Sequence, residues 1–426
     1  MAIKKEKNSY SIENMKKIWS YKKGEDGGLI LTKYKGEESV ITVPERIGKT
    51  NVTALGNHLF QFKNNIEKVI LPPTITTIGS RVFLRCNNLV DIELSPNIAF
   101  IDFEAFKDTP WLNNIEEDII YIGKCLYQYK DKASQYYKVK EGTLGISPNS
   151  FASCTFLQYI DLPSSLTRIG YSAFSGCSSL KRVVVPEGVT RIDGATFINC
   201  SSLEGVILPD GIDYIGMYAF QRCSSLKKFI FPNKMDHFPF DLFFGCSSLE
   251  SITIGKNMTS IMARNKDRTL LECPSLKELI VEEGNPIYCS INNCVVDKKE
   301  KRIVLGCSES YIDESSSITS IGRSAFENSG IKNIVIPSSI KVIEERAFFK
   351  SHLERVEIEE GLIEIKDEVF RNCYEIRSIN IPDSASIFGE DVFCGLKVDI
   401  IASKGHKAHD ILERDREREL KRLWRF

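Results

Sequence analysis

Five cysteines, Cys154, Cys177, Cys200, Cys223 and Cys246, stand twenty-three residues apart, and a phenylalanine precedes each by three, at Phe151, Phe174, Phe197, Phe220 and Phe243. Pro163, Pro186, Pro209 and Pro232 keep the same interval. A period of about 20 to 50 residues marks a repeat architecture, in which no unit buries its apolar face alone and each is stabilised by its neighbours. The phenylalanine series extends upstream to Phe60, Phe83 and Phe106, and downstream to Phe326, Phe348, Phe370 and Phe393. One continuous array is therefore expected, not several globular domains.

One unit runs Leu157 to Pro163, then Leu166 to Gly170, then Ala173-Phe174 to Cys177 and Leu180, where the next begins. It describes a short strand, a turn, a second short strand and a helical turn. Along Leu180 to Pro186, Leu180, Val183 and Val185 can point inward while Lys181, Arg182 and Val184 point out, and Pro186 ends the strand because it has no N–H to donate. Ile169, Ile192 and Ile215 form an inward column on the second face, and the Ala-Phe-x-x-Cys segment sends ring and thiol into the core.

The pattern Leu-x-x-Ile-x-Leu-Pro followed by Ile-Gly-x-x-Ala-Phe-x-x-Cys-x-Ser-Leu resembles the BspA-like, or treponemal-type, leucine-rich repeat family over about residues 21–400. The resemblance implies a mainly-β fold: a right-handed leucine-rich-repeat solenoid of stacked parallel strands with short helical turns, hairpin insertions and a C-terminal capping helix. The expected organisation is an N-terminal extension over 1–20, roughly thirteen coils of 22–23 residues over 21–400, and a terminal helix within 401–426. One coil, near Leu270, is degenerate. Segments near 108–136 and 285–310 look like the family's hairpin insertions. The alternating charges of Glu413 to Glu419 favour pairing within the terminal helix, whose apolar side includes Ala408, Ile411, Leu412, Leu420, Leu423 and Trp424. Capping is its expected role; docking of a partner through Trp424 and Phe426 is the alternative.

Little in the sequence points to chemistry. The 56 basic and 57 acidic residues give a formal charge of −1, which removes the electrostatic case for nucleic acid, and no segment is long and apolar enough to span a bilayer. The thirteen cysteines include no CxxC, and in-register thiols stack at the strand spacing without turning toward each other, so reduced, buried thiols are expected. Cys289, Cys294 and Cys307 lack the usual zinc spacing, and His406 with His409 lacks a third ligand. Gly176-Cys-Ser-Ser-Leu180 lacks the second glycine of a nucleophile elbow, and Gly48-Lys49-Thr50 lies between extended segments, unlike a phosphate loop. No catalytic, cofactor-binding or metal-binding residue is assigned.

Function is then expected on the outward strand positions, as binding of a protein partner. The candidate face is Tyr159, Arg182, Val184, Ile207, Lys228, Ile230 and Thr253, an apolar row with a cationic margin. Outward β-branched residues also suit strands for their own sake. The resemblance implies adhesion to host proteins at a cell surface, whereas the polar first twenty residues and reduced cysteines suggest a cytoplasmic chain. Two further readings are an enzyme pocket at the insertions near Cys125 or Cys294, and a self-associating structural protein.

Overall fold

Phenylalanines placed once per coil have rings that meet face to face when the coils stack, and they do so in the computed structural model, which describes residues 12–239, 241–261 and 273–423. The chain divides into two compact units, residues 1–178 with 184–197, and residues 179–183 with 198–426. In the first unit Phe60 stacks on Phe83 and Phe83 on Phe106, each at 5.3 Å between centroids, and Phe174 lies 5.4 Å from Phe197 with planes 3° apart. In the second, Phe326, Phe348 and Phe370 follow at 5.0 and 5.5 Å.

Each coil contributes two parallel ladders. Lys68 pairs with Asp91 and Tyr136 with Tyr159 on one face, while Thr77 pairs with Phe100 and Ile169 with Ile192 on the other. The second unit repeats this, with Lys228 opposite Ser251 and Ser320 opposite Val342. Burial follows the expected alternation: Leu180, Val183 and Val185 are buried, and Arg182 and Val184 are exposed.

The expected helical turn is a run of single turns that form a third ladder. Residues two before and two after each phenylalanine of the series hold φ between +49° and +90°, as His58 and Phe62 do around Phe60, and Ser172 and Gly176 around Phe174. Left-handed residues between right-handed ones point successive N–H groups alternately along and across the array. Thus His58, Phe60 and Phe62 donate to Ser80, Val82 and Leu84 of the next coil at 2.9, 2.9 and 3.0 Å, while Leu59, Gln61 and Lys63 close local turns. Every amide from 58 to 63 is paired although none lies in a strand or helix.

The cysteines serve the same stacking. Cys86 and Cys177 donate their thiols to the carbonyls of Phe60 and Phe151, one coil back, at 3.0 and 3.1 Å. Cys246, Cys273 and Cys373 do so to Phe220, Phe243 and Phe348. A buried S–H at this place gives a peptide carbonyl a second partner while filling the core as a small apolar group would.

Both insertions are hairpins. Strands Ile119–Ile122 and Cys125–Tyr129 pair antiparallel, and the second then joins Gly145–Ile146 in parallel, with Tyr129 against Phe151 at 4.7 Å. Tyr288–Ile291, Cys294–Asp297 and Arg302–Leu305 form an antiparallel meander whose last strand rejoins the stack through Ser320–Ile321. After it, Gly306 holds the phenylalanine position: its N–H donates to Ala325 as a phenylalanine's would, and a Cβ there would lie 2.0 Å from the ring of Phe326.

The ends are closed differently. Trp19–Lys23 and Leu29–Tyr34 form an antiparallel pair, with Trp19 and Tyr34 against Phe60. In the second unit, helix Lys407–Leu423 buries Ala408, Ile411 and Leu412, and its carboxylates take the place that carbonyls of a following coil hold elsewhere. Phe393 N–H donates to Asp415 Oδ2 at 3.0 Å and Gly395 N–H to Glu419 Oε2 at 2.9 Å. Leu420 is exposed on that helix. The degenerate coil near Leu270, Trp424, Phe426 and the side chain of Leu423 lie outside the described residues.

Candidate protein-binding faces

The seven candidate residues all stand outward. In the first unit Tyr159 and Val184 are exposed, and Tyr159 lies in register with Tyr136, also exposed. Tyr136 hydrogen-bonds Asp161 at 2.6 Å, fixing the pair on the face. Sequence reasoning missed Tyr136 because it closes the first insertion, yet Tyr136 and Tyr159 share the period of twenty-three.

In the second unit Arg182, Ile207 and Lys228 are exposed and Ile230 is 64% exposed. Strands Lys228–Ile230, Ser251–Ile254 and Glu278–Val281 set Ile230, Thr253 and Ile280 in one row. Ile280 is 38% exposed and Thr253 half-buried. The row beside it is uneven: Ser251 is buried and donates to Glu278 at 2.8 Å, so Lys228 stands over a hydroxyl–carboxylate pair.

The insertions carry the buried thiols Cys125 and Cys294. Burial pushes the Cys125 thiol up to about 11 and the Cys294 thiol up to about 12, holding both protonated at neutral pH. Cys154 differs: the adjoining Cys177 thiol, then the charge and hydrogen bond of Lys132 at 3.3 Å, outweigh burial and hold it below the usual thiol range. An open groove of about 390 Å³ beside the first hairpin is lined by Asp102, Glu104 and Asp108 among others. Glu104 is held below the usual carboxylate range, first by Lys107 and then by Arg81, while Asp108 pairs with Arg85. Glu104 and Asp108 are thus engaged in ion pairs, and Asp102 accepts from the Phe103 N–H at 2.7 Å.

Among the described residues no group of three or more His, Cys, Asp or Glu side chains is placed to hold a metal. His406 accepts from the Ala408 N–H and so caps the terminal helix. Gly48, with φ of +63°, turns the antiparallel pair Arg46–Ile47 and Thr50–Leu55.

All thirteen cysteines are thiols outside any disulfide, and twelve are buried, with Cys289 partly exposed. Buried thiols are shielded in an oxidising or a reducing compartment alike, so their number does not locate the protein. A thiol-reactive chromogen is expected to titrate at most about one thiol per folded chain, at Cys289, and all of them after denaturation. Rapid reaction of several thiols in the folded protein would refute the buried spine.

Residues 41–134, 145–277 and 288–401 match the model of the BspA type leucine-rich repeat region, in 6 copies. The chain belongs to the BspA-type leucine-rich repeat family. It is similar to a leucine-rich repeat protein from Bacteroides ovatus, with 21% identity over 87% of this chain and 98% of that one and a TM-score of 0.44. A leucine-rich cell surface protein from Faecalibacterium prausnitzii shares 21% identity over 92% and 95%, with a TM-score of 0.42. The leucine-rich repeat protein of T. pallidum shares 24% over 49% and 88%, at 0.26. No match to a curated protein is found. This BspA-type chain has no helix among its described residues long and apolar enough to cross a membrane.

Proposed function

We propose that this chain is a non-enzymatic scaffold that binds another protein on the outward face of its strands. The observation carrying this reading is the register-paired row Ile230, Thr253 and Ile280 in the second unit. Its two isoleucines project into solvent while the inward Phe229, Ile252 and Leu279 already fill the core. Exposed branched aliphatic side chains in fixed columns are what a partner can desolvate at low entropic cost, because the ladder holds their backbone in place before binding. Membership in the repeat family supports the same class of function, since stacked coils present extended surfaces and not enclosed pockets.

The test is affinity capture with the full chain against an Ile230→Asp/Ile280→Asp variant of matched thermal stability. A partner held by the parent is expected to bind the variant at least about tenfold more weakly, since a charged side chain at the centre of an interface must be desolvated without a partner. Equal capture by both proteins would remove this face from consideration.

A further inference from the structure

The outward sheet of the second unit lacks one strand. Strands Lys228–Ile230, Ser251–Ile254 and Glu278–Val281 form one run of the face, and Asn333–Ile336, Arg355–Ile358 and Ser378–Ile379 form another. Between them in sequence lies Tyr311-Ile312-Asp313, which repeats the Tyr159-Ile160-Asp161 that is a strand in the first unit. Here it is not a strand. The second insertion draws it away: Tyr311 N–H donates to Asn292, Ser308 N–H to Leu276, and Ser310 Oγ to Asn293.

The two edges are treated differently. On Glu278–Val281 the hydroxyl of Ser290, from the insertion, accepts from Val281 N–H at 2.6 Å and donates to Leu279 C=O at 3.1 Å, which caps that edge. On Asn333–Ile336 the carbonyls of Lys332 and Ile336 accept from Arg355 and Glu359 of the following coil, so strand alternation turns the N–H and C=O of Asn333 and Val335 the other way. Neither residue has a hydrogen-bond partner on that side among the described residues. A groove of about 620 Å³ runs over this strand, lined by Ser310, Tyr311 and Ile312 on the open side, by Asn333, Ile334 and Val335 themselves, and by the Arg355–Glu357 pair of the following coil. Tyr311 is 58% and Val335 47% exposed.

We propose that this groove binds an extended peptide segment, which adds to the Asn333–Ile336 edge as the missing strand. The backbone vacancy dictates an extended main chain, because two donors and two acceptors on alternate residues match a strand and no other regular structure. The lining has one cation and one anion, and they satisfy each other at 3.2 Å. The occupant is therefore an uncharged or weakly charged segment with a β-branched or aromatic residue against Tyr311 and Val335. Groove volume suits a ligand of this size. The assignment is separate from the row at Ile230, and each stands or falls alone.

The probe is the end-capped peptide Leu-Gln-Tyr-Ile-Asp-Leu, the chain's own sequence over 157–162. Full-length protein is titrated by fluorescence anisotropy and amide exchange. Saturable binding is expected, with exchange at the Asn333 and Val335 amides slowed about tenfold and a peptide N-methylated on its pairing edge at least about tenfold weaker. Val335→Pro, which removes an edge donor, is expected to weaken binding similarly. Equal binding of the N-methylated peptide, or unchanged exchange at both amides, overturns the proposal whether or not the proline variant folds. Protection of the same amides by protein concentration alone, with no effect of peptide, overturns it too and gives the edge to a second copy of the chain.

Discussion

Phe348→Ala is expected to destabilise the second unit by about 3–5 kcal/mol, the usual cost of emptying a buried aromatic site in a core that cannot collapse around it. Collapse is blocked because the ring is fully buried between Phe326 and Phe370. Their separation is set by ladders on all sides of the coil, where Phe326 N–H donates to Ala347 and Phe348 N–H to Val369. Denaturant unfolding of parent and variant measures the loss. A loss below about 1 kcal/mol would mean that the spine is dispensable and that the strands alone hold the coils in register.

Asp415→Ala is expected to cost about 2–3 kcal/mol and to raise amide exchange in the last coil before any other, since the hydrogen bond it removes is charged and buried. Asp415 is fully buried and accepts from the Phe393 amide and the Arg414 guanidinium. Asp415→Asn, which keeps an acceptor, should cost less. The neighbouring Asp391 adds an acid dependence. Burial pushes its pKa up, but the hydrogen bond from Arg422 and the charges of Arg422, Arg371 and Arg418 outweigh that and hold it below its ordinary value. A carboxyl depressed in the fold contributes stability in full above its unfolded pKa, and the contribution is lost as pH falls through the lower folded value. Fraying of the final coil should therefore set in on acidification below the usual aspartate range and be weaker in Asp391→Asn. Uniform exchange throughout the second unit in Asp415→Ala would show that the helix merely rests on the stack.

Coil register, inward columns and hairpin insertions were legible because each depends on spacing that repeats. Val183 and Val185 could be assigned to the core from alternation, and Leu180, Phe174 and Cys177 from their period. The helical turn was less legible. No residue type marks the left-handed positions, which are held by His58, Arg81, Glu104 and Ser172 as readily as by Gly176. What fixes them is the ladder to the next coil, a tertiary term. Tyr136 could have been found from its distance to Tyr159, but the Asn333–Ile336 edge could not. The triplet Tyr-Ile-Asp is a strand at 159–161 and not at 311–313, where the insertion diverts it.

Spacing in the sequence settled that this chain stacks coils, which side chains fill their interior and which stand outside, because periodicity acts on every unit alike. Only the folded chain decided how the end is closed, with Asp415 and Glu419 accepting the amides of the last coil, and where the face is incomplete. Both depend on a single departure from the repeat. Its outcome is set by which hydrogen-bonding groups lie nearby in space, and a periodic pattern does not carry that information.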